Sequence, residues 1–86
     1  MTPLTLKTEY QYIRFCQMPV VGRGRKTHIF SVQNVRHCDQ IGCVQWDGGW
    51  RQYVFQPFPR TIYSAGCLAD IQDFIRQAME EHKAKP

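Results

Sequence analysis

The chain has 86 residues, of which 43% are hydrophobic and 13% aromatic. That composition sets one small globular domain and excludes a disordered chain. Eleven Lys and Arg against seven Asp and Glu give a net charge of +4, a mild basic balance that permits an acidic or nucleic-acid partner without requiring one. No apolar run approaches the roughly 18 residues that cross a bilayer. The start, Met1-Thr-Pro-Leu-Thr-Leu-Lys, lacks the charged head and long apolar centre of an export signal. A cytoplasmic protein is therefore expected, with Cys16, Cys38, Cys43 and Cys67 as reduced thiols.

Residues 1–8 read as a loose leader. Residues 10–18 are rich in Tyr, Ile and Phe and stop at Pro19, which predicts a first strand. A loop over 20–27 holds Gly22-Arg-Gly-Arg-Lys26. Alternation over 28–36 predicts a second strand, with Ile29, Ser31, Gln33 and Val35 on one side and His28, Phe30, Val32 and Asn34 on the other. A turn over 37–40, a third strand over 41–46 and a fourth over 50–56 follow. Pro57 and Pro59 end the fourth.

Trp46-Asp-Gly-Gly-Trp50 separates the last two strands, and glycines after an aspartate reverse the chain at little steric cost. A turn on Asp47-Gly48 puts Val44, Trp46, Tyr53 and Phe55 on one side and gives a covering helix an aromatic floor. A turn on Asp47-Gly48-Gly49 sets Trp46 opposite Trp50 and sends Tyr53 and Phe55 the other way, since a slip of one residue flips every side chain. The first arrangement is preferred.

Beyond Pro59 the period changes. Leu68, Ile71, Ile75, Ala78 and Met79, with Phe74 beside them, recur at helical spacing. Ser64 suits the N-cap. Arg76, His82, Lys83 and Lys85 gather towards the negative end of the dipole, with Asp70 and Asp73 towards the positive end. Gly66 is a poor helix former near that start. A helix over 65–83 spans about 28 Å, enough to cross four strands. The fold expected is one α+β domain over 1–86: a four-stranded antiparallel meander over 10–56, with one amphipathic helix over 64–83 packed on one face.

Arg23, Arg25 and Lys26 form the sharpest electrostatic feature. Cations on a glycine-opened loop reach phosphates or acidic side chains; they also merely solvate a loop tip. Arg14, Arg36, Arg51 and Arg60 lie on or beside strands. Gathered on the face away from the helix with Tyr10, Tyr12 or Trp50, they make a basic-aromatic surface for single-stranded nucleic acid or an acidic protein. The RNP-type aromatic motif is missing, and most aromatics of a small domain are core.

His37, Cys38 and Cys43 with Cys16, His28 or Cys67 offer zinc ligand types, but without the two-residue cysteine spacing of a zinc knuckle. Cys67 near a helix start has the place of an activated thiol, yet no base, orienting group or oxyanion site is spaced to serve it. No enzyme, metal or cofactor is expected.

The stretch Ile41-Gly-Cys-Val-Gln-Trp46-Asp-Gly-Gly-Trp50-Arg-Gln-Tyr53-Val-Phe55-Gln-Pro57, then Thr61-Ile-Tyr63, then Cys67-Leu68-Ala-Asp70-Ile71-Gln-Asp-Phe74-Ile75, resembles a family of small uncharacterised phage and prophage proteins. Their pattern is similar to Trp-x-x-x-Trp-Arg-x-Tyr-x-Phe-x-Pro followed by Cys-Leu-x-x-Ile-x-x-Phe-Ile. The resemblance implies a mobile-element origin and a ββα unit, and carries no catalytic residue. Phage accessory proteins of this size include non-enzymatic binders of host proteins or nucleoprotein complexes, among them inhibitors of host defence such as anti-CRISPR proteins. The expectation is such a binder, with Arg23, Arg25, Lys26, Arg51, Trp50, Arg14 and Arg36 as contact residues. The alternatives are direct nucleic-acid binding by the same residues, and a small zinc or thiol protein.

Overall fold

Alternating side chains and a closing amphipathic helix produce a sheet with one covered face. The computed structural model describes residues 6–18 and 27–84. Strands β1 (Ile13–Gln17), β2 (Phe30–Asn34), β3 (Gln40–Asp47) and β4 (Gln52–Pro57) lie in the order β1-β2-β3-β4, each antiparallel to its neighbour, and helix α1 (Ala65–Ala84) follows. This is the ββββα meander. The segment with Arg23, Arg25 and Lys26 lies outside the described residues, as does Lys85.

The covered face is apolar because every second strand residue is. Ile13, Phe15, Phe30, Val32, Val44 and Tyr53 are buried against Ile71, Phe74 and Ala78 of α1. Phe74 is the central contact: its ring stacks on Phe15 with centroids 4.0 Å apart and meets Phe30 edge-on at 4.8 Å. Gly42 belongs to this face too. A Cβ there would lie 2.7 Å from the Phe55 ring, so the glycine makes room for the aromatic across the ladder.

β1 and β2 are shorter than their composition suggests, and β3 is longer. β1 begins at Ile13, not Tyr10, because the chain bends at Gln11–Tyr12 and folds residues 8–10 back along the outer edge of β1. The Phe15 amide donates to the Thr8 carbonyl at 2.8 Å, and that of Tyr10 to the Ile13 carbonyl at 2.9 Å. This covers an otherwise open sheet edge. Leu6 packs against the core and the Lys7 amide donates to Gln77 Oε1 at 2.8 Å, so residues 6–8 are tied to the fold.

Asn34 ends β2. Its Oδ1 accepts from the Arg36 amide at 2.8 Å and the His37 amide at 3.3 Å, so the turn begins before the expected residue 37. The register shifts after Val32, which pairs with Gly42, while Gln33 pairs with Gln40. Ile41 is the extra residue of that irregularity.

The β3–β4 connection is neither of the turns expected. It runs over four residues, 48–51, so Trp50 and Arg51 belong to the turn and β4 starts at Gln52. Two and four residues have the same parity. Trp46, which pairs with Tyr53, and Val44, which pairs with Phe55, therefore still share one side with their partners, and the aromatic floor stands on the helix side.

Ser64 caps α1: its Oγ accepts from the Cys67 amide at 3.1 Å, and its carbonyl from the Leu68 amide at 3.0 Å. Leu68 does not join the core face and is 52% exposed. It sits roughly 90° around the helix from the centre of the Ile71, Phe74 and Ala78 stripe. Cys67 is partly buried and packs against the core. Among the described residues no helix is long and apolar enough to cross a membrane.

Candidate functional site

Asp47 builds the tip of the β3–β4 hairpin. Its Oδ1 accepts from the Gly49 amide at 2.8 Å and the Trp50 amide at 3.1 Å, and its carbonyl accepts from the Arg51 amide at 2.7 Å. An aspartate closing a turn on its own following amides is a strong local device. The chain leaves the turn through Arg51 at φ 57°, a conformation that glycine adopts more readily. The result is a held turn that presents a tryptophan 74% exposed to solvent, with an exposed arginine beside it.

The base of this tip is packed. Trp46 lies 4.4 Å from the His82 ring and meets Tyr53 edge-on at 5.5 Å. The C-terminal turn of α1, with His82 and Lys83, therefore reaches the same end of the sheet. Antiparallel pairing puts the close of β1 and the opening of β2 there as well. Met18 and Thr27, which flank the segment bearing Arg23, Arg25 and Lys26, thus share the end that carries Trp50 and Arg51. Between them the Met18 amide donates to the Ile29 carbonyl at 2.8 Å, and Gln17 Nε2 lies 3.1 Å from His28 Nδ1.

The other sequence candidates are not gathered with these. Arg14 alternates with buried Ile13 and Phe15 and so lies on the open face, where its Nε donates to Gln33 Oε1 at 3.1 Å. By the same alternation that face carries Cys16, Ser31, Cys43, Gln45, Val54 and Gln56. None of these is aromatic. Tyr10 is on the helix side, edge-on to Phe15 at 5.6 Å. Arg36 lies in the β2–β3 turn and Arg60 beyond β4, at φ 64°, both at the end opposite Trp50. The basic-aromatic sheet surface is therefore not assembled on the open face.

Cys38 lies in the β2–β3 turn, where Arg14 Nη2 is 3.7 Å from its sulfur. Cys43 is on the open face beside Gln56, and burial pushes its thiol up. Among the described residues no three His, Cys, Asp or Glu side chains are grouped to hold a metal ion.

The best-connected electrostatic group is structural. The Tyr10 hydroxyl donates to Asp73 Oδ2 at 2.7 Å, Gln77 Nε2 donates to both, and Arg76 pairs with Asp73 at 2.8 Å and with Glu80 at 3.0 Å. The Arg76 guanidinium, then the Tyr10 hydroxyl, hold the Asp73 carboxyl below its usual range. Burial, then the bond to Asp73, push the Tyr10 phenol up.

Sequence reading missed one feature, an open cleft of about 550 Å³ at the end opposite Trp50, lined by Gln11, Tyr12, Asn34, Val35, Arg36 and His37. Its trace in the sequence is Asn34 placed two and three residues before Arg36 and His37, the spacing of a side chain that folds its own turn.

A protein of Acholeplasma phage L2, described as an uncharacterized 9.3 kDa protein, is similar to this chain: 32% identical over 73 residues, which are 85% of this chain and 91% of that protein. No family model matches the chain. No solved structure matches it. With nearly the whole of both chains aligned, this chain belongs to a family of small phage proteins that includes the 9.3 kDa protein of phage L2.

Proposed function

We propose that the chain is a non-enzymatic phage accessory protein that acts in the host cytoplasm by binding and modulating a host protein or nucleoprotein complex. The observation that supports this reading is the hairpin tip. Trp50 is 74% exposed, Arg51 stands beside it, and three backbone hydrogen bonds to Asp47 fix the turn. Burying a large aromatic ring and a guanidinium together is the usual basis of an interface anchor. A turn already held in shape loses little freedom on binding. The strand ends that flank Arg23, Arg25 and Lys26 share this end, so their charge adds attraction and speed of encounter to the anchor. A defence complex, CRISPR effectors included, is one class of target that such a surface suits.

The test is affinity capture from host-cell lysate with the tagged chain, beside Trp50→Ala and a variant with Arg23, Arg25 and Lys26 changed to alanine. The reading expects a captured complex that Trp50→Ala loses and that the triple variant holds more weakly as salt rises. A complex retained equally by all three proteins removes the reading.

A further inference from the structure

We infer that the cleft between the Gln11–Tyr12 bend and the β2–β3 turn is a second binding site, for a nucleotide: a flat ring joined to a phosphate. The cleft holds about 550 Å³, within the range of small-ligand pockets. Two of its walls are apolar and left open to solvent, the Tyr12 ring at 54% exposure and Val35 at 40%. The other side is cationic and polar, with Arg36 and His37 consecutive in the turn. Among the described residues no carboxylate lines it. A ring laid on Tyr12 and Val35 buries exposed apolar surface, and an attached phosphate meets the fixed charge of Arg36.

The frame of the cleft is set before any ligand arrives. Asn34 Oδ1 already accepts the amides of Arg36 and His37, the Cys38 amide donates to the Asn34 carbonyl at 2.7 Å, and the Val35 amide donates to the Tyr12 carbonyl at 3.0 Å. These bonds use the backbone donors of the turn, so an anion is met by side chains and not by a nest of amides. With Oδ1 occupied, Asn34 retains its amide donors for a ring edge. Gln11 Nε2 donates to the Tyr12 hydroxyl at 3.1 Å, which steadies the ring that would carry the stack. Arg14 stands next to the site through Cys38 and adds positive potential from the open face. The site is separate from the hairpin tip, and its test does not depend on the capture of a host partner.

Two-dimensional NMR of the full chain tests it, with four probes: adenosine monophosphate, adenosine, inorganic phosphate and a short oligoadenylate DNA single strand. Adenosine monophosphate at millimolar concentration is expected to shift the amides of Gln11, Tyr12 and residues 34–37, with adenosine and phosphate each about tenfold weaker or more. Tyr12→Ala and Arg36→Ala, both at exposed positions, are each expected to weaken the nucleotide about tenfold. A strand that binds more tightly than the mononucleotide assigns the natural ligand to single-stranded nucleic acid; equal affinity assigns it to a free nucleotide, and the site stands in both cases. No shift with adenosine monophosphate, shifts confined to other residues, phosphate alone binding as well as the nucleotide, or an unchanged affinity in Arg36→Ala overturns it.

Discussion

The Tyr10 hydroxyl donates to Asp73 Oδ2 across 2.7 Å, and this bond, with those of Tyr10 and Lys7 to Gln77, joins the segment that covers the edge of β1 to the middle of α1. Tyr10→Phe keeps the ring edge-on to Phe15 and removes the donor to Asp73 together with the acceptor for Gln77 Nε2, so the variant should fold and be less stable. Its pH profile is specific. Asp73 is held below its usual range by Arg76 and then by Tyr10, so its contribution is full above about pH 4, near the ordinary carboxylate value, and disappears as pH falls through the lowered value. The phenol is raised, first by burial and then by Asp73. Its contribution is full below about pH 10 and is lost as pH rises further. Urea unfolding of both proteins should thus show a gap that is widest at neutral pH and narrows at both extremes. A gap independent of pH would disconnect the bond from these two titrations.

Gly42→Ala tests how Phe55 is seated. The added Cβ would stand 2.7 Å from the Gln56 carbonyl oxygen and 2.7 Å from Phe55 Cε1. The ring can swing aside, but the carbonyl belongs to β4 and moves only with the strand. A loss of about 1–3 kcal/mol is expected for such overpacking, read as a lower denaturant midpoint with an unchanged slope. Stability within about 0.5 kcal/mol of the parent would mean that the ladder yields there.

Ser64→Ala should cost about 1 kcal/mol, because Ser64 Oγ is the acceptor for the Cys67 amide at 3.1 Å. Ser64→Asp supplies the same acceptor with a charge favourable to the dipole and should restore thermal stability. A serine that is dispensable in both comparisons would leave the helix start to its backbone bond from Leu68.

Residue order carried the architecture well, for physical reasons that particular residues show. Phe30, Val32 and Val44 alternate, and Ile71, Phe74 and Ala78 recur at helical spacing, so which sides are apolar could be read directly. The covered face was legible even though the turn was misjudged, because the true turn of four residues has the parity of the two-residue one. What was not legible depends on contacts distant in sequence. Nothing local in Thr8 marks it as the acceptor for Phe15. The candidate site was legible in part. Trp50 and Arg51 are adjacent in sequence and in space, whereas Arg14 and Arg36 separate because one alternates onto a flat face and the other falls in a turn that Asn34 closes. The cleft beside Tyr12 needs a bend, a turn and an edge strand together, and no single segment encodes it.

Arg51→Gly separates folding from binding at the hairpin tip. Arg51 holds φ 57°, a left-handed conformation that costs a side-chain-bearing residue about 1–2 kcal/mol. Glycine removes that cost but adds about 0.5–1 kcal/mol of unfolded-state freedom, so the variant should be as stable as the parent or more stable by up to about 1 kcal/mol. Among the described residues Arg51 makes no ion pair and no side-chain hydrogen bond whose loss would offset this gain. If the guanidinium is there for a partner, the stabilised variant should capture that partner more weakly, by roughly tenfold for one charged contact at an interface. Thermal unfolding and capture measured on the same preparation give the two numbers together. A variant that is more stable and binds undiminished would show that arginine does nothing at this position, and Trp50 alone would then have to account for the interface.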